Sequence, residues 1–135
     1  MKKIIFFLVL FILGLCTDVE AKSKGLVLFN TEPITEYNVS SCKKIFSPEK
    51  RIYYLFIAPK RMSNKYIRVQ VFKFNDKDAG GGAEVLRTMD FRLMKDQRYY
   101  HSDYFVLNSK GRYVLQVFSM NDLQRPLAFN DFYVK

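Results

Sequence analysis

The chain has 135 residues, of which 16% are aromatic, and its 22 lysines and arginines exceed its 13 aspartates and glutamates by a net charge of +9. A chain of this length accommodates a single domain, and its positive excess favours anionic partners. Two cysteines and one histidine are too few to supply the ligands of a structural zinc site.

The first 21 residues have the three regions of a secretory signal peptide. Two lysines follow Met1, residues 4–15 form an apolar run, and a polar stretch ends at Ala21. Val19 and Ala21 occupy the −3 and −1 positions before Lys22, the pattern that signal peptidase recognises. A membrane-spanning helix needs about 20 apolar residues, so this shorter run predicts a cleaved signal peptide.

Cys16 raises an alternative to cleavage after Ala21. The sequence Leu13-Gly14-Leu15-Cys16 resembles a bacterial lipobox, in which the cysteine is acylated and becomes the new N-terminus. Leu15 departs from the small residue of that motif, and Cys16 also fits as a small apolar residue of the run. Cleavage after Ala21 predicts a released protein, whereas acylation of Cys16 predicts a membrane-tethered one.

Residues 22–135 are predicted to form one domain after the signal peptide of residues 1–21. The 114 residues that remain after removal of the first 21 are enough to bury a core without disulfide bonds. Cys42 is the one cysteine of this part, so an intramolecular disulfide is excluded after cleavage at Ala21. We expect its thiol to be buried and inert.

Short apolar or alternating runs separated by turn residues predict β-strands throughout the domain. In the first half, strands are predicted at residues 25–29, 34–39, 51–58 and 66–74. Residues 51–58 are nearly all apolar, which predicts a central strand covered on both faces. Residues 40–50 are predicted to be a polar connection with a turn after Ser47.

In the second half, strands are predicted at residues 85–94, 104–107, 112–120 and 127–134. Residues 85–94 also fit a helical spacing, but a strand is favoured. Residues 95–102 are predicted to be a polar connection, and residues 75–82 a glycine-rich loop. About eight strands at this spacing predict an all-β fold, a single antiparallel β-sandwich.

The last strands carry a resemblance to a known family. Gly111-Arg112-Tyr113 opens one strand and Phe132-Tyr133-Val134 closes the next, which resembles the end of immunoglobulin-like β-sandwich domains. The resemblance implies an immunoglobulin-like sandwich in which the Tyr113 hydroxyl bonds the backbone at a corner. The chain departs from the antibody type because it has neither the cysteine pair nor a tryptophan. A fold of this kind implies no definite function.

The sequence shows no catalytic pattern. Any catalytic triad must use His101, which lies in the predicted polar connection and is expected to be an exposed loop residue. The acidic residues are scattered, with no pair at a spacing that forces two carboxylates together. We therefore predict a protein that is not an enzyme and has no catalytic residues and no cofactor.

A metal site is not predicted either. Asp76, Asp78 and Gly81 resemble the beginning of a calcium-binding loop, but Arg87 stands where that loop needs an acidic residue. We expect these residues to form a solvated loop instead.

Basic and aromatic residues follow one another in two stretches. The first is the predicted binding site, which comprises Arg87, Arg92, Lys95, Arg98, Tyr99 and Tyr100. The second comprises Arg51, Tyr53 and Tyr54 with Lys60 and Arg61. Both can contact an acidic protein or an anionic polymer. The alternative is that the aromatic residues belong to the core and the cations surround it.

These features predict a non-enzymatic protein of the bacterial periplasm or cell envelope. It is expected to act through contacts with an envelope protein, as an accessory of a larger assembly. The alternative is a secreted or surface-tethered binder of an anionic ligand, either a lipid, a cell-wall polymer or an acidic protein. Neither nucleic acid nor a small-molecule substrate is a predicted partner.

Overall fold

A computed structural model describes residues 24–75 and 82–135. They form eight strands, β1 (Leu26–Asn30), β2 (Ile45–Phe46), β3 (Arg51–Ile57), β4 (Tyr66–Phe74), β5 (Ala83–Arg92), β6 (Tyr100–Val106), β7 (Gly111–Ser119) and β8 (Ala128–Val134). One sheet has the order β1-β3-β6 and the other β2-β8-β7-β4-β5. The predicted all-β, two-sheet fold is confirmed.

Several sequence predictions concern residues outside these two ranges. They are the signal peptide of residues 1–21, the acylation of Cys16, and the loop that carries Asp76 and Asp78. Within the two ranges, no helix is long and apolar enough to cross a membrane.

The core lies between the two sheets and follows from the alternation of side chains along each strand. On β4, Ile67, Val69 and Val71 are fully buried, as their spacing predicts. The centre of the core is aromatic. Phe132 of β8 lies with its ring centroid 4.7 Å from that of Phe29 and 5.5 Å from that of Tyr113.

The prediction of a strand at residues 34–39 is wrong. These residues form a turn followed by a short 3₁₀ helix at Val39–Ser41. The side chain of Asn38 accepts a hydrogen bond from the backbone N–H of Thr35 and donates one to the carbonyl oxygen of Pro33. These local bonds compete with a sheet ladder. The apolar residues of the segment instead cover the outer face of the three-stranded sheet, where Ile34 and Val39 pack with Leu26, Leu28, Leu55, Ile57 and Tyr100.

A strand within residues 40–50 was not predicted. β2 has two residues, too few to show an alternation, and it pairs with the end of β8 in parallel. The sandwich is therefore antiparallel except for this pair. Phe46 of β2 is buried against Phe132, which explains why a short apolar pair interrupts a polar segment.

The strand predicted at residues 104–107 begins earlier, at Tyr100. Residues 95–102 therefore include the first part of β6 and are only partly a connection. In this polar beginning, Tyr-His-Ser-Asp, Ser102 is exposed, whereas Tyr100, His101 and Asp103 are partly buried. His101 consequently lies on a strand and not, as predicted, in an exposed loop.

The tyrosine of the family resemblance makes the contact that the resemblance implies. The Tyr113 hydroxyl donates a hydrogen bond to the backbone carbonyl oxygen of Ser109, four residues upstream. It also lies 2.8 Å from the Ser109 hydroxyl oxygen. The bond fastens the turn between β6 and β7 to the first residues of β7.

Candidate functional site

Three loops and the beginning of the described chain meet at one end of the sandwich. The loops are residues 58–65, 93–99 and 120–127, which follow β3, β5 and β7. Alternate connections of an antiparallel arrangement lie at the same end of the strands. β1 also starts there, because Leu26 pairs with Ile57, the last residue of β3.

Hydrogen bonds join the first two loops into one surface. The backbone N–H of Ala58 donates to the carbonyl oxygen of Tyr99 at 2.7 Å, and that of Leu93 donates to the carbonyl oxygen of Lys65 at 2.6 Å. The Arg98 guanidinium donates to the carbonyl oxygen of Ser63 at 3.1 Å. Residues far apart in the sequence are thereby held side by side.

The third loop and the first described residues join the same surface. The Asn64 side chain donates to the Asn121 side-chain oxygen at 2.7 Å. The backbone N–H of Gly25 donates to the carbonyl oxygen of Leu127 at 2.8 Å. A side chain at Gly25 is excluded by this packing, because a Cβ atom there would lie 2.5 Å from the carbonyl oxygen of Ile57.

This surface is strongly basic, and we call it the basic end. Eight lysines and arginines and two aspartates lie on this surface. Their net charge is +6, on a chain whose total is +9. None of the eight forms an ion pair with a carboxylate of the described residues. The Asp122 side chain accepts hydrogen bonds from the backbone N–H groups of Gln124 and Arg125 in its own loop. The eight cations are Lys24, Lys60, Arg61, Lys65, Arg92, Lys95, Arg98 and Arg125.

Exposed apolar side chains lie among these cations. Met94 is 62% exposed in the second loop, and Leu123 is 43% exposed in the third. Tyr66 and Tyr99 are also exposed, and the Lys65 ammonium lies 5.5 Å from the centre of the Tyr66 ring. The basic end therefore offers both positive charge and apolar contact area.

The structure places the predicted binding residues in three locations. Arg92, Lys95 and Tyr99 are exposed at the basic end, and Arg98 lies there with its guanidinium bound to the first loop. Tyr100 packs in the apolar cluster that covers the three-stranded sheet. The remaining residue is Arg87.

Arg87 lies away from the basic end. Its partner in β4 is the fully buried Val71, so its side chain starts on the inner face of the sheet. From there its guanidinium donates to the carbonyl oxygen of Val106 in β6, at 2.9 Å. Arg87 thus bridges the two sheets along the side where β5 and β6 face each other.

The sequence did not show that Lys60 and Arg61 of the second stretch lie beside the first stretch. Lys60 and Arg61 belong to the loop before β4, and Lys65 was not among the predicted residues. In an antiparallel fold every second connection lies at the same end of the strands. The order of the predicted strands could therefore have indicated that these loops meet.

His101 lies on the inner face of β6 and is largely buried. Its Nε2 atom is 3.0 Å from the Tyr54 hydroxyl, and its ring centroid is 4.2 Å from that of Phe91. Burial lowers the pKa of His101 to about 4, although the nearby Asp103 carboxylate acts in the opposite direction. Burial also raises the pKa of Tyr54, so both groups are neutral at pH 7.

The second predicted stretch contributes to a groove on the outer face of the three-stranded sheet. The Arg51 guanidinium lies 4.6 Å from the centre of the Tyr104 ring and donates to the Tyr53 hydroxyl at 3.4 Å. The Tyr53 and Tyr104 rings are 5.5 Å apart. The groove has a volume of about 180 Å³ and is lined by Pro33, Ile34, Tyr53, Tyr54, Ser102, Asp103 and Tyr104.

Cys42 belongs to neither surface, and the acidic residues form no metal-binding cluster among the described residues. Cys42 is half-buried, and burial raises the pKa of its thiol, which disfavours the reactive thiolate. In residues 24–75 and 82–135, no three side chains of the metal-binding types come together.

Comparison with known proteins finds only distant structural similarity. No protein-family model and no curated protein matches the chain. The soluble domain of PmoD from Methylocystis sp. ATCC 49242 (Rockwell) is similar in structure, with a TM-score of 0.49 and 11% identity over 82% of this chain and 90% of that domain. The alkylpurine DNA glycosylase AlkC of Pseudomonas fluorescens, bound to DNA containing an abasic site analogue, has a TM-score of 0.44 and 10% identity, covering 83% of this chain and 30% of its own. Similarity at this level assigns no function.

Proposed function

We propose that this chain is an exported, non-catalytic binding module of the bacterial cell envelope that holds an anionic ligand at its basic end. One observation carries the proposal, namely the convergence of eight cations from three loops, the end of β5 and the first described residues, with two aspartates among them. The signal-peptide pattern of residues 1–21 supports export.

The arrangement has an electrostatic cost that an anionic ligand relieves. Like charges on neighbouring loops repel one another, and a folded protein reduces that repulsion by interspersing acidic residues. Elsewhere on the same protein this is seen, since Asp131 pairs with both Lys44 and Arg112, and Asp90 pairs with Arg68. The basic end lacks such pairs among the described residues, so its potential is available to a ligand.

We also infer that the sandwich is immunoglobulin-like. The Tyr113 bond to the Ser109 carbonyl oxygen supports this assignment, as do the β1-β3-β6 and β2-β8-β7-β4-β5 sheets. In such a sandwich the basic end corresponds to the loop cluster at one end of the strands, where binding residues are held by a rigid scaffold.

Neutralising cations at the basic end is expected to weaken anion binding. Arg61→Gln, Lys65→Gln and Lys95→Gln together remove three exposed charges and leave the core intact. We expect this variant to elute from immobilised heparin at clearly lower sodium chloride concentration than the unmodified protein, because exposed charge interactions are screened by salt.

The matched control removes the same charge elsewhere. Lys43→Gln, Lys50→Gln and Lys110→Gln also remove three exposed charges, all from outside the basic end. This variant is expected to elute close to the unmodified protein. Equal shifts for the two triple variants would show that heparin responds to net charge alone, and the proposed site would be wrong.

The groove beside Tyr53 and Tyr104 supports a second candidate function, contact with an envelope protein. Tyrosine and arginine are the residues most often found at the energetic centres of protein interfaces, and here Arg51 is stacked on exposed Tyr104. An aromatic contact of this kind depends on apolar area, so it resists salt better than the basic end does.

Tyr53→Ser with Tyr104→Ser tests this second function. The measurement is capture of a protein from solubilised envelopes by the tagged, exported protein, followed by a high-salt wash. If the groove binds a protein, a species retained after the wash by the unmodified protein is expected to be lost from the double variant, with at least tenfold less recovered. Retention of the same species by both proteins would exclude the groove.

A further inference from the structure

We propose that the anionic ligand of the basic end is the surface of a lipid bilayer containing anionic headgroups, with Met94 and Leu123 entering the interface. This inference rests on the proposed function and adds to it the identity of the ligand. Three features favour a bilayer over a dissolved polyanion, two from the described residues and one from the sequence that precedes them.

The first feature is the pairing of apolar tips with surrounding cations. Met94 and Leu123 project from two different loops and are among the exposed large apolar residues of the protein. Tyr66 and Tyr99 are exposed at the same end, and tyrosine favours the boundary between headgroups and acyl chains. Surfaces that lie on membranes combine apolar residues that enter the interface with lysines and arginines that attract anionic lipid.

The second feature is the position at which the chain enters the domain. Gly25 is bonded to Leu127 at the basic end, so residues 1–23 join the domain there. The apolar run of residues 4–15 and Cys16 lie within that preceding segment. The eight residues that follow Cys16, up to Lys24, span at most about 28 Å when extended. A membrane attachment through this segment therefore brings the basic end, and not the groove, close to the bilayer.

The third feature is the apolar contact area of Met94 and Leu123, which a dissolved polymer would not use. A polyanion in water is held by charge and by hydrogen bonds, and it gains little from contact with a methionine or leucine side chain. A bilayer contacts both kinds of side chain at once. The basic end is also assembled from separate loops, which suits an extended flat surface better than a narrow groove that tracks a single chain.

The test measures co-sedimentation of the exported protein with lipid vesicles. The protein is produced from the full chain, so that every variant keeps the same processed N-terminus. The probe is a phosphatidylcholine vesicle containing phosphatidylglycerol, and a vesicle of phosphatidylcholine alone is the reference. We expect at least tenfold stronger partitioning into the anionic vesicles, with each neutralised cation at the basic end reducing it about fivefold.

Substitution of Met94 and Leu123 distinguishes a bilayer from other anionic ligands. Met94→Ser with Leu123→Ser is expected to lower partitioning into anionic vesicles about tenfold while leaving elution from heparin unchanged. Ile45→Ser with Val85→Ser is the matched control, since both residues are exposed and lie at the opposite end of the strands. This control is expected to partition like the unmodified protein.

Two results would overturn the lipid inference. One is equal partitioning into vesicles with and without phosphatidylglycerol, and the other is an equal effect of the two apolar variants. In either case, heparin elution that still depends on Arg61, Lys65 and Lys95 leaves the anion-binding function standing. The comparison uses exported protein whose intact mass shows no acyl chain on Cys16, because a diacyl anchor would hold every variant on both kinds of vesicle.

Discussion

Replacing Phe132 with alanine is expected to lower the free energy of unfolding by about 3 to 5 kcal/mol. Phe132 is fully buried, and four aromatic rings surround it, those of Phe29, Phe46, Phe105 and Tyr113. Alanine leaves a cavity at this position. The surrounding rings belong to four other strands and cannot fill it by small movements. The measurement is urea-induced unfolding, in which the midpoint should fall while the slope remains unchanged.

Phe129→Ala is the matched control for this variant. Phe129 lies on the same strand three residues earlier, but it points outward and is 49% exposed. Its removal is expected to cost less than about 1 kcal/mol, because little area buried on folding is lost. Equal losses for the two variants would mean that the inner and outer faces of β8 have been assigned wrongly.

Acidification is expected to destabilise the protein through His101 by about 2 kcal/mol between pH 7.5 and pH 5. In the unfolded chain this imidazole binds a proton near its ordinary pKa of 6.5, whereas burial lowers the pKa of the folded form to about 4. Between these two values the unfolded state binds more protons, so stability falls as pH falls. Urea unfolding of the same protein at several pH values measures how the free energy of unfolding changes with pH.

His101→Gln isolates this effect, because His101 is the single histidine of the sequence. Glutamine keeps a polar group opposite the Tyr54 hydroxyl but does not titrate, so the variant should show a much flatter dependence over the same pH range. Neighbouring arginine and lysine lower the pKa values of Asp90 and Asp131, so these carboxylates titrate at more acidic pH. An equally steep pH dependence in the variant would show that His101 is solvated, contrary to its burial.

The strands that could be predicted are those with enough residues to show a pattern. β1, β3, β4, β5, β7 and β8 agree with the predicted segments to within two residues, because each has at least five residues over which an apolar or alternating pattern can appear. Residues 34–39 misled the prediction because the same alternation also fits a segment that covers the outside of a sheet. β2 was missed since a pair of residues has no periodicity, and its position depends on β8.

The candidate site was predictable only in part. Arg92, Lys95, Arg98 and Tyr99 follow one another in the sequence and were therefore recognised as a group. Their partners Lys60, Arg61 and Lys65 lie about 30 residues away in sequence, and hydrogen bonds between loop backbones bring them together. Such bonds involve groups that every residue carries, so no residue type indicates them.

We expect Arg87 also to hinder self-association along the edge of β5. β5 has ten residues, is the last strand of its sheet, and exposes Val85 and Leu86. A free strand of this length can act as a template for a strand from another molecule, which is the first step toward aggregation. The guanidinium of Arg87 projects from this edge toward the other sheet, and closer pairing there would force it out of water. We therefore expect the side chain that bridges the two sheets within one molecule also to disfavour edge-to-edge pairing between molecules.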